Sequence, residues 1–123
     1  MRLGESLEAA YTLRGPIAAG MWHIVGDAED CLRSVAVRYD VIWRHGGDDT
    51  VIATATGTLT PQQPDPYVAA PFEGDAAGIA APAAAGDKLV LRFTVTGGDA
   101  DTYFIANGDG AYAHGRVPNL TLP

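Results

Sequence analysis

Acidic side chains concentrate in two short segments of the sequence, and they are the groups with the clearest potential to bind a ligand. Glycines and Asn107 lie close to them. Calcium takes about six to eight oxygen ligands, so carboxylates and amides clustered beside glycines are the composition that a calcium site requires. The carboxylates in question are Asp27, Glu29, Asp30, Asp99, Asp101 and Asp109. Asp and Asn also favour turns, where they hydrogen bond to their own backbone, so ordinary turn chemistry is the alternative to structural calcium.

Aromatic side chains are the next candidates, because a Trp or Tyr ring beside polar groups can hold the flat face of a sugar. Trp22 lies in a short predicted strand, whereas Tyr67 and Tyr112 lie in segments rich in loop residues. Arg38 and Asp40 alternate with apolar residues and therefore share the outward face of their strand. We expect these five residues to form the ligand-binding set, with the aromatic rings stacking and the charged pair supplying polar contacts.

The histidines do not form a recognisable catalytic set. His23, His45 and His114 are far apart in the sequence, and no serine lies in a Gly-x-Ser-x-Gly segment. The two close histidines and the downstream glutamate of a cupin-type metal site are also missing from the sequence. The sequence therefore favours a protein that is not an enzyme.

Alternation of apolar and polar residues predicts the strands that must position these groups. The strongest patterns cover residues 33–44 and 88–96, and a glycine-rich loop after the first of them leads into a return strand over residues 50–60. In that return strand we expect Val51 to face the same side as Ala53, with Ile52 on the opposite side and a bulge at Gly57. Weaker strands are predicted at residues 9–13, 20–25, 102–106, 111–114 and 119–122. Residues 61–86, rich in proline and glycine, are predicted to be an irregular crossover with one short strand near residues 67–70.

Length and composition favour one domain spanning residues 1–123. Hydrophobic residues make up 47% of the chain, which is sufficient for a single core. Many strands, long polar crossovers and the lack of a convincing helix predict an all-β fold. Its architecture is expected to be a two-sheet antiparallel β-sandwich of jelly-roll or Greek-key topology. An immunoglobulin-like sandwich is the alternative, although a single cysteine excludes an internal disulfide.

The charge balance restricts the classes of partner. Fifteen acidic residues against eight basic ones give a net charge of −7, which makes nucleic acid an unfavourable partner. No apolar run reaches the roughly 18–20 residues of a membrane-spanning helix, so no membrane span is expected. The first residues lack the apolar stretch of a secretory signal. A cytoplasmic protein and a mature domain excised from a longer precursor both fit this sequence.

Three segments of the sequence resemble jelly-roll modules of the galactose-binding and carbohydrate-binding type. They are residues 20–27 (GMWHIVGD), residues 41–44 (VIWR) and residues 86–93 (GDKLVLRF). The resemblance implies a non-catalytic, extracytoplasmic module that recognises a glycan or another surface ligand through its loops and often carries structural calcium. The alternative function is a structural or assembly domain that makes protein–protein contacts, including self-association through its edge strands or through Cys31.

The calcium hypothesis predicts a thermal shift. A ligand that binds only the folded state stabilises it by about 2.7 kcal/mol at a hundredfold excess over its dissociation constant. For a domain of this size, that corresponds to a shift in Tm of roughly 10 °C. We expect excess EDTA to lower the Tm and calcium to restore it, with magnesium less effective. Identical melting curves in EDTA and in millimolar calcium would leave both acidic segments as ordinary turns.

Overall fold

Seven β-strands make up the regular structure of the described part of the chain. The computed structural model describes residues 4–28, 34–60, 70–98 and 119–123. In these ranges every regular element is a strand, and no helix is present. The strands are β1 (Ser6–Thr12), β2 (Gly20–Ala28), β3 (Val35–His45), β4 (Asp48–Leu59), β5 (Ala70–Gly78), β6 (Lys88–Gly98) and β7 (Asn119–Thr121). The strands predicted at residues 102–106 and 111–114 lie outside the described residues.

The strands form two antiparallel sheets that pack together. The larger sheet has the order β1-β6-β3-β4, and the smaller has the order β5-β2-β7. β4 adjoins β5 where the sheets meet, and the Ile79 amide there donates to the Ile52 carbonyl at 3.0 Å. The strands β3, β4 and β5 are thus consecutive around the sandwich, with β2 beside β5, which is the Greek-key order. The predicted all-β, two-sheet antiparallel sandwich is confirmed.

The β3–β4 hairpin forms where the sequence predicts it. Its turn consists of Gly46 and Gly47, and Gly46 has a φ of 58°. A positive φ at the first central residue suits the two-residue turns that match the twist of the flanking strands. Glycine adopts this conformation without the steric cost that a Cβ would impose.

A β-bulge reverses the predicted facing of two residues in β4. The register against β3 shifts between Val41 and Ile42, so that Val41 pairs with Ala53 and Ile42 pairs with Val51. Ile52 is therefore left over between the two pairs and lies buried in the core, whereas Val51 is 49% exposed. The predicted facing of Val51 and Ile52 is wrong, because strict alternation cannot anticipate one extra residue in a strand. The register shift also lies away from Gly57, where the sequence suggested a bulge.

Aromatic rings fill the space between the two sheets. Tyr39 on β3 lies 4.5 Å from the ring of Phe72 on β5 and 5.0 Å from that of Phe93 on β6 (centroid distances). Phe72 occupies the space beside Gly57 on β4 and Gly74 on β5, where a side chain would otherwise project. Phe72 therefore joins the sheets only because both neighbours lack a Cβ.

Strand β5 replaces much of the crossover predicted for residues 61–86. Its sequence, APFEGDAAG, contains few residues of high β-propensity. It nevertheless pairs with β2 along its whole length. The small residues are required by packing, since the Trp22 indole lies where a Cβ of Gly78 would be and Ala76 is buried opposite Trp22. The small residues of β5, which favoured a crossover in the sequence, are therefore required by the side chains that pack against this strand.

A methyl group at Gly57 should destabilise the fold. A Cβ there would lie 2.8 Å from Cε2 of Phe72, whose ring is already held against Tyr39. We expect Gly57→Ala to lower the free energy of unfolding by about 1–3 kcal/mol, the usual cost of overpacking. Urea unfolding measures this change. Gly47→Ala is the control, because nothing lies within 4 Å of its Cβ position, and equal stability losses in the two variants would contradict the packing described here.

Candidate functional site

The outward surface of the larger sheet is the main polar feature of the described residues, and we call it the outer polar face. In β3, Val37, Tyr39 and Val41 point into the core, so Arg38 and Asp40 point outward as predicted. The strand register places charged and hydroxyl side chains of all four strands on the same surface. They are Glu8 on β1, Lys88, Arg92 and Thr94 on β6, Arg38, Asp40 and Arg44 on β3, and Asp49, Thr54 and Thr56 on β4.

Asp40 is held by its neighbours and fixes the orientation of Arg38. Arg38 Nε donates to Asp40 Oδ2 at 2.9 Å, and Thr54 Oγ1 donates to Asp40 Oδ1 at 2.8 Å. The Asp40 side chain is only 6% exposed, whereas that of Arg38 is 42% exposed. Both carboxylate oxygens of Asp40 are therefore engaged, and Arg38 is the member of the pair that can contact a ligand. That both residues contact a ligand stays a prediction, and within the fold Asp40 orients Arg38.

Four charged residues form a continuous network across the larger sheet. Arg44 donates from Nε to Asp49 Oδ1 at 2.6 Å and from Nη2 to Glu8 Oε2 at 3.2 Å. Arg92 donates from Nε to Glu8 Oε1 at 2.9 Å and from Nη2 to Asp49 Oδ2 at 3.3 Å. Since Glu8, Arg92, Arg44 and Asp49 come from β1, β6, β3 and β4, the network connects every strand of that sheet.

The network lowers the pKa values of its carboxylates, and its arginines flank two buried apolar residues of the sheet. The Arg92 side chain, followed by that of Arg44, holds the pKa of Glu8 below its ordinary value, and Arg44 does the same for Asp49. Ile42 and Val90 pair across β3 and β6 between the two arginines, and both are fully buried although they lie outside the core cluster. Long arginine side chains commonly cover apolar surface in this way.

The outer polar face is close to electrically balanced. It carries four basic side chains (Arg38, Arg44, Lys88 and Arg92) and three acidic ones (Glu8, Asp40 and Asp49), which sum to about +1 on a protein of net charge −7. Most of these charges are paired with each other, and Lys88 Nζ donates to Thr12 Oγ1 at 2.6 Å. Because these charges largely cancel, the surface offers hydrogen bonds of fixed direction but only a weak net electrostatic field.

Trp22, the described member of the aromatic residues predicted to stack on a ligand, does not join Arg38 on this face. Trp22 has 0% exposure and packs in the core from the smaller sheet, so the prediction that it presents a free ring is wrong. Alternation in β2 turns Trp22 inward and His23 outward, because one face of that strand is covered by the larger sheet. The indole Nε1 of Trp22 is buried without a hydrogen-bond partner among the described residues. Tyr67 and Tyr112 lie outside those residues.

Nearly all of the predicted calcium ligands also lie outside the described residues. Asp27 belongs to β2, but its side chain is not described. Residues 29, 30, 99, 101 and 109 lie wholly outside the described ranges. Within the described ranges, no group of three or more His, Cys, Asp or Glu residues is arranged to hold a metal ion. The calcium site therefore stays a prediction.

A cluster of hydrogen bonds around Asp87 was not predicted from the sequence. Asp87 Oδ2 accepts hydrogen bonds from Trp43 Nε1 and from the Ala84 amide, each at 2.9 Å, while its Oδ1 lies 2.8 Å from Nδ1 of His45. The Ala84 amide, then Trp43 and then His45, hold the pKa of Asp87 below its ordinary value. The only sequence signal was the Gly86-Asp87 pair, which indicates a turn and not its partners.

The Asp87 cluster joins distant parts of the chain. Trp43 and His45 end β3, and Asp87 precedes β6, so the cluster fixes residues 84–87 against the hairpin end of the larger sheet. An Asp–His pair of this kind also orients the base in catalytic triads. Among the described residues, no serine, threonine or cysteine hydrogen bonds to His45, and the cluster is best understood as an anchor for this turn.

Comparisons with known proteins give no match for this chain. The chain matches no protein-family model, no curated protein and no solved structure. In the described part of the chain, no helix is long and apolar enough to cross a membrane. The geometry of the outer polar face thus carries the functional interpretation.

Asp87→Asn should destabilise the protein near neutral pH. The Asn oxygen can still accept from Trp43 Nε1 and the Ala84 amide only if the NH₂ group is directed towards His45 Nδ1, and in either orientation these contacts lose the negative charge that strengthens them. We expect the Tm to fall by about 5 °C or more, as for other losses of a buried hydrogen bond. The exposed Asp48→Asn is the matched control and should leave the Tm unchanged.

The Asp87 contribution also has a defined pH dependence. Because the folded-state pKa is lowered, the stabilisation is present above the ordinary value of 3.8 and is lost as the pH falls through the folded-state pKa. The difference in Tm between wild type and Asp87→Asn should therefore shrink in acid. A difference that stays constant down to pH 2 would show that folding does not lower the pKa of Asp87.

Proposed function

We propose that this protein is a non-catalytic binding module that holds a neutral, hydroxyl-rich ligand, a glycan, on the outer polar face. The observation that carries this proposal is the fixed Arg38–Asp40–Thr54 arrangement on adjacent strands. Binding sites on strands hold their polar groups in place before the ligand arrives, which reduces the entropy lost on binding.

Arg38 is equipped to contact a pair of neighbouring hydroxyl groups. Its Nε is occupied by Asp40, and no described residue accepts a hydrogen bond from its two Nη groups. The guanidinium is planar, so those Nη donors form a fork whose spacing suits two adjacent acceptor oxygens. Thr56 pairs with Arg38 in the register and is exposed, so its hydroxyl adds a group that both donates and accepts.

The charge distribution favours a neutral ligand over a charged one. Most charges on the outer polar face are paired, and the protein as a whole is acidic. A polyanion would be repelled by the net charge, and a polycation would have to displace the arginines from their carboxylates. Hydroxyl groups can use these donors and acceptors without either cost.

The resemblance to galactose-binding and carbohydrate-binding modules supports the same function. A module of that kind is expected outside the cytoplasm and with structural calcium, and both properties are part of this proposal. Tyr67 and Tyr112, which lie outside the described residues, remain the candidates for stacking on a sugar ring.

Binding to a panel of neutral oligosaccharides tests the proposal. Isothermal titration calorimetry should detect at least one ligand, and Arg38→Ala should weaken its affinity about tenfold, the equivalent of one lost charged hydrogen bond. Arg14→Ala is the matched control, because it removes the same charge from an exposed position away from this face. Raising the salt concentration should change the affinity little, since the ligand is uncharged.

Two results would contradict the proposal. One is the absence of binding across a broad panel, and the other is an equal effect of Arg38→Ala and Arg14→Ala on the ligand that binds. Binding to uronic-acid polymers alone, lost in high salt, would exclude the neutral ligand class.

Protein–protein assembly is the second candidate function. The edge strand β1 carries Leu7 and Tyr11, which are 46% and 54% exposed. Exposed edge strands of this kind can pair with another chain. Sedimentation velocity over a range of concentrations, with and without reductant to reveal a disulfide through Cys31, tests this function, and a monomer under all conditions excludes self-association.

A further inference from the structure

His23 lies between two carboxylates on the outward surface of the smaller sheet. Its Nδ1 is 2.6 Å from Asp75 Oδ1, and its Nε2 is 2.9 Å from Glu73 Oε1. Both carboxylates belong to β5, whereas His23 belongs to β2, and Asp75 is the direct register partner of His23. The ring therefore connects to β5 through both of its nitrogens.

We propose that His23, Glu73 and Asp75 form a pH-sensitive clamp that holds the edge strand β5 on β2. When the imidazole is protonated, both ring nitrogens donate a hydrogen bond to a carboxylate. When it is neutral, only one nitrogen carries a proton, and the lone pair of the other faces a carboxylate oxygen. Deprotonation thus removes one of the two cross-strand hydrogen bonds and the ion pairs, and it weakens the attachment of β5.

Strand β5 is a suitable element for such control. It is the edge of its sheet, and alanine and glycine make up most of its sequence. Little of its stability can come from intrinsic β-propensity. Phe72 anchors one side of the strand in the core, and the clamp acts on the opposite, outward side. Loss of the clamp is therefore expected to cause local opening of β5 and not global unfolding.

The charges around His23 come mainly from β5. On the opposite side, β7 places Thr121 in register with His23, and this residue is uncharged. Asp27, whose side chain is not described, follows His23 in β2 by four residues. No basic residue of β2, β5 or β7 faces the ring, so the protonated ring is the one positive charge that these three strands contribute among the described side chains.

The direction of the pH effect follows from the pKa of His23. The hydrogen bond with Asp75, followed by that with Glu73, raises this pKa above its ordinary value of 6.5. A group whose pKa is raised by folding stabilises the closed strand fully below the ordinary value, and it loses this effect as the pH rises through the raised value. The clamp should therefore be closed in mild acid and weakened in mild alkali.

Hydrogen exchange measured by mass spectrometry tests the clamp. In the wild type, the protection of β5 amides, corrected for the intrinsic exchange rate, should fall as the pH is raised from about 5.5 to 8.5. Each unit by which the closed strand raises the pKa of His23 corresponds to about a tenfold change in the opening equilibrium. In His23→Gln, the protection should be lower in acid and should not vary across this range.

Two further variants keep the test decisive. His45→Gln is the control, because it removes a histidine at the Asp87 cluster on the larger sheet and should leave the pH dependence of β5 unchanged. Asp75→Asn retains His23 but should lower the His23 pKa, read from the chemical shift of its ring protons, and reduce the pH dependence. The proposal is overturned if wild-type protection is constant across this range, if His23→Gln keeps the wild-type pH dependence, or if Asp75→Asn leaves the His23 pKa unchanged.

Discussion

The packing of Phe72 between the two sheets is the contact on which the other features depend. Its ring lies against Tyr39 and fills the space that Gly57 and Gly74 leave open. This contact buries the inner faces of both sheets and so determines which side chains face outward. Alternation places Arg38 and Asp40 on one face of β3, and the packing of the two sheets makes that face the outward one. Close packing of this kind tolerates little change in volume, which is why the glycines matter as much as the ring.

Each outward surface is stabilised by charged groups in a different way. On the larger sheet, the network of Glu8, Arg44, Asp49 and Arg92 connects all four strands and flanks Ile42 and Val90. Arginine remains charged at every physiological pH, so that surface is insensitive to proton concentration. On the smaller sheet, the only described cross-strand ion pairs involve His23, whose pKa is raised by Asp75 and Glu73 and whose charge therefore depends on pH. One surface is thus a constant platform and the other is responsive to pH.

The two described histidines, His23 and His45, have different roles because their neighbours differ. His23 is held by two exposed carboxylates on one strand, and its own charge contributes to the pairing. His45 contacts a single buried carboxylate, Asp87, which also accepts hydrogen bonds from Trp43 and from the Ala84 amide. Asp87 therefore keeps its anchoring contacts whatever the protonation state of His45. The proposed sensitivity to pH is therefore a property of β5 and not of the hairpin end of the larger sheet.

The sequence alone determined the all-β class, the strands β3, β4 and β6, and the outward placement of Arg38 and Asp40. These features depend on alternation between adjacent residues, which is a local property of an extended chain. Only the tertiary structure decided the existence of β5, the burial of Trp22 and Ile52, and the partners of His23 and Asp87. The small residues of β5 are explained by rings that pack on them, and Asp87 lies 44 residues from Trp43 in the chain. Contacts between residues so far apart in the chain depend on how the two sheets stack, and no local pattern of residues predicts that stacking.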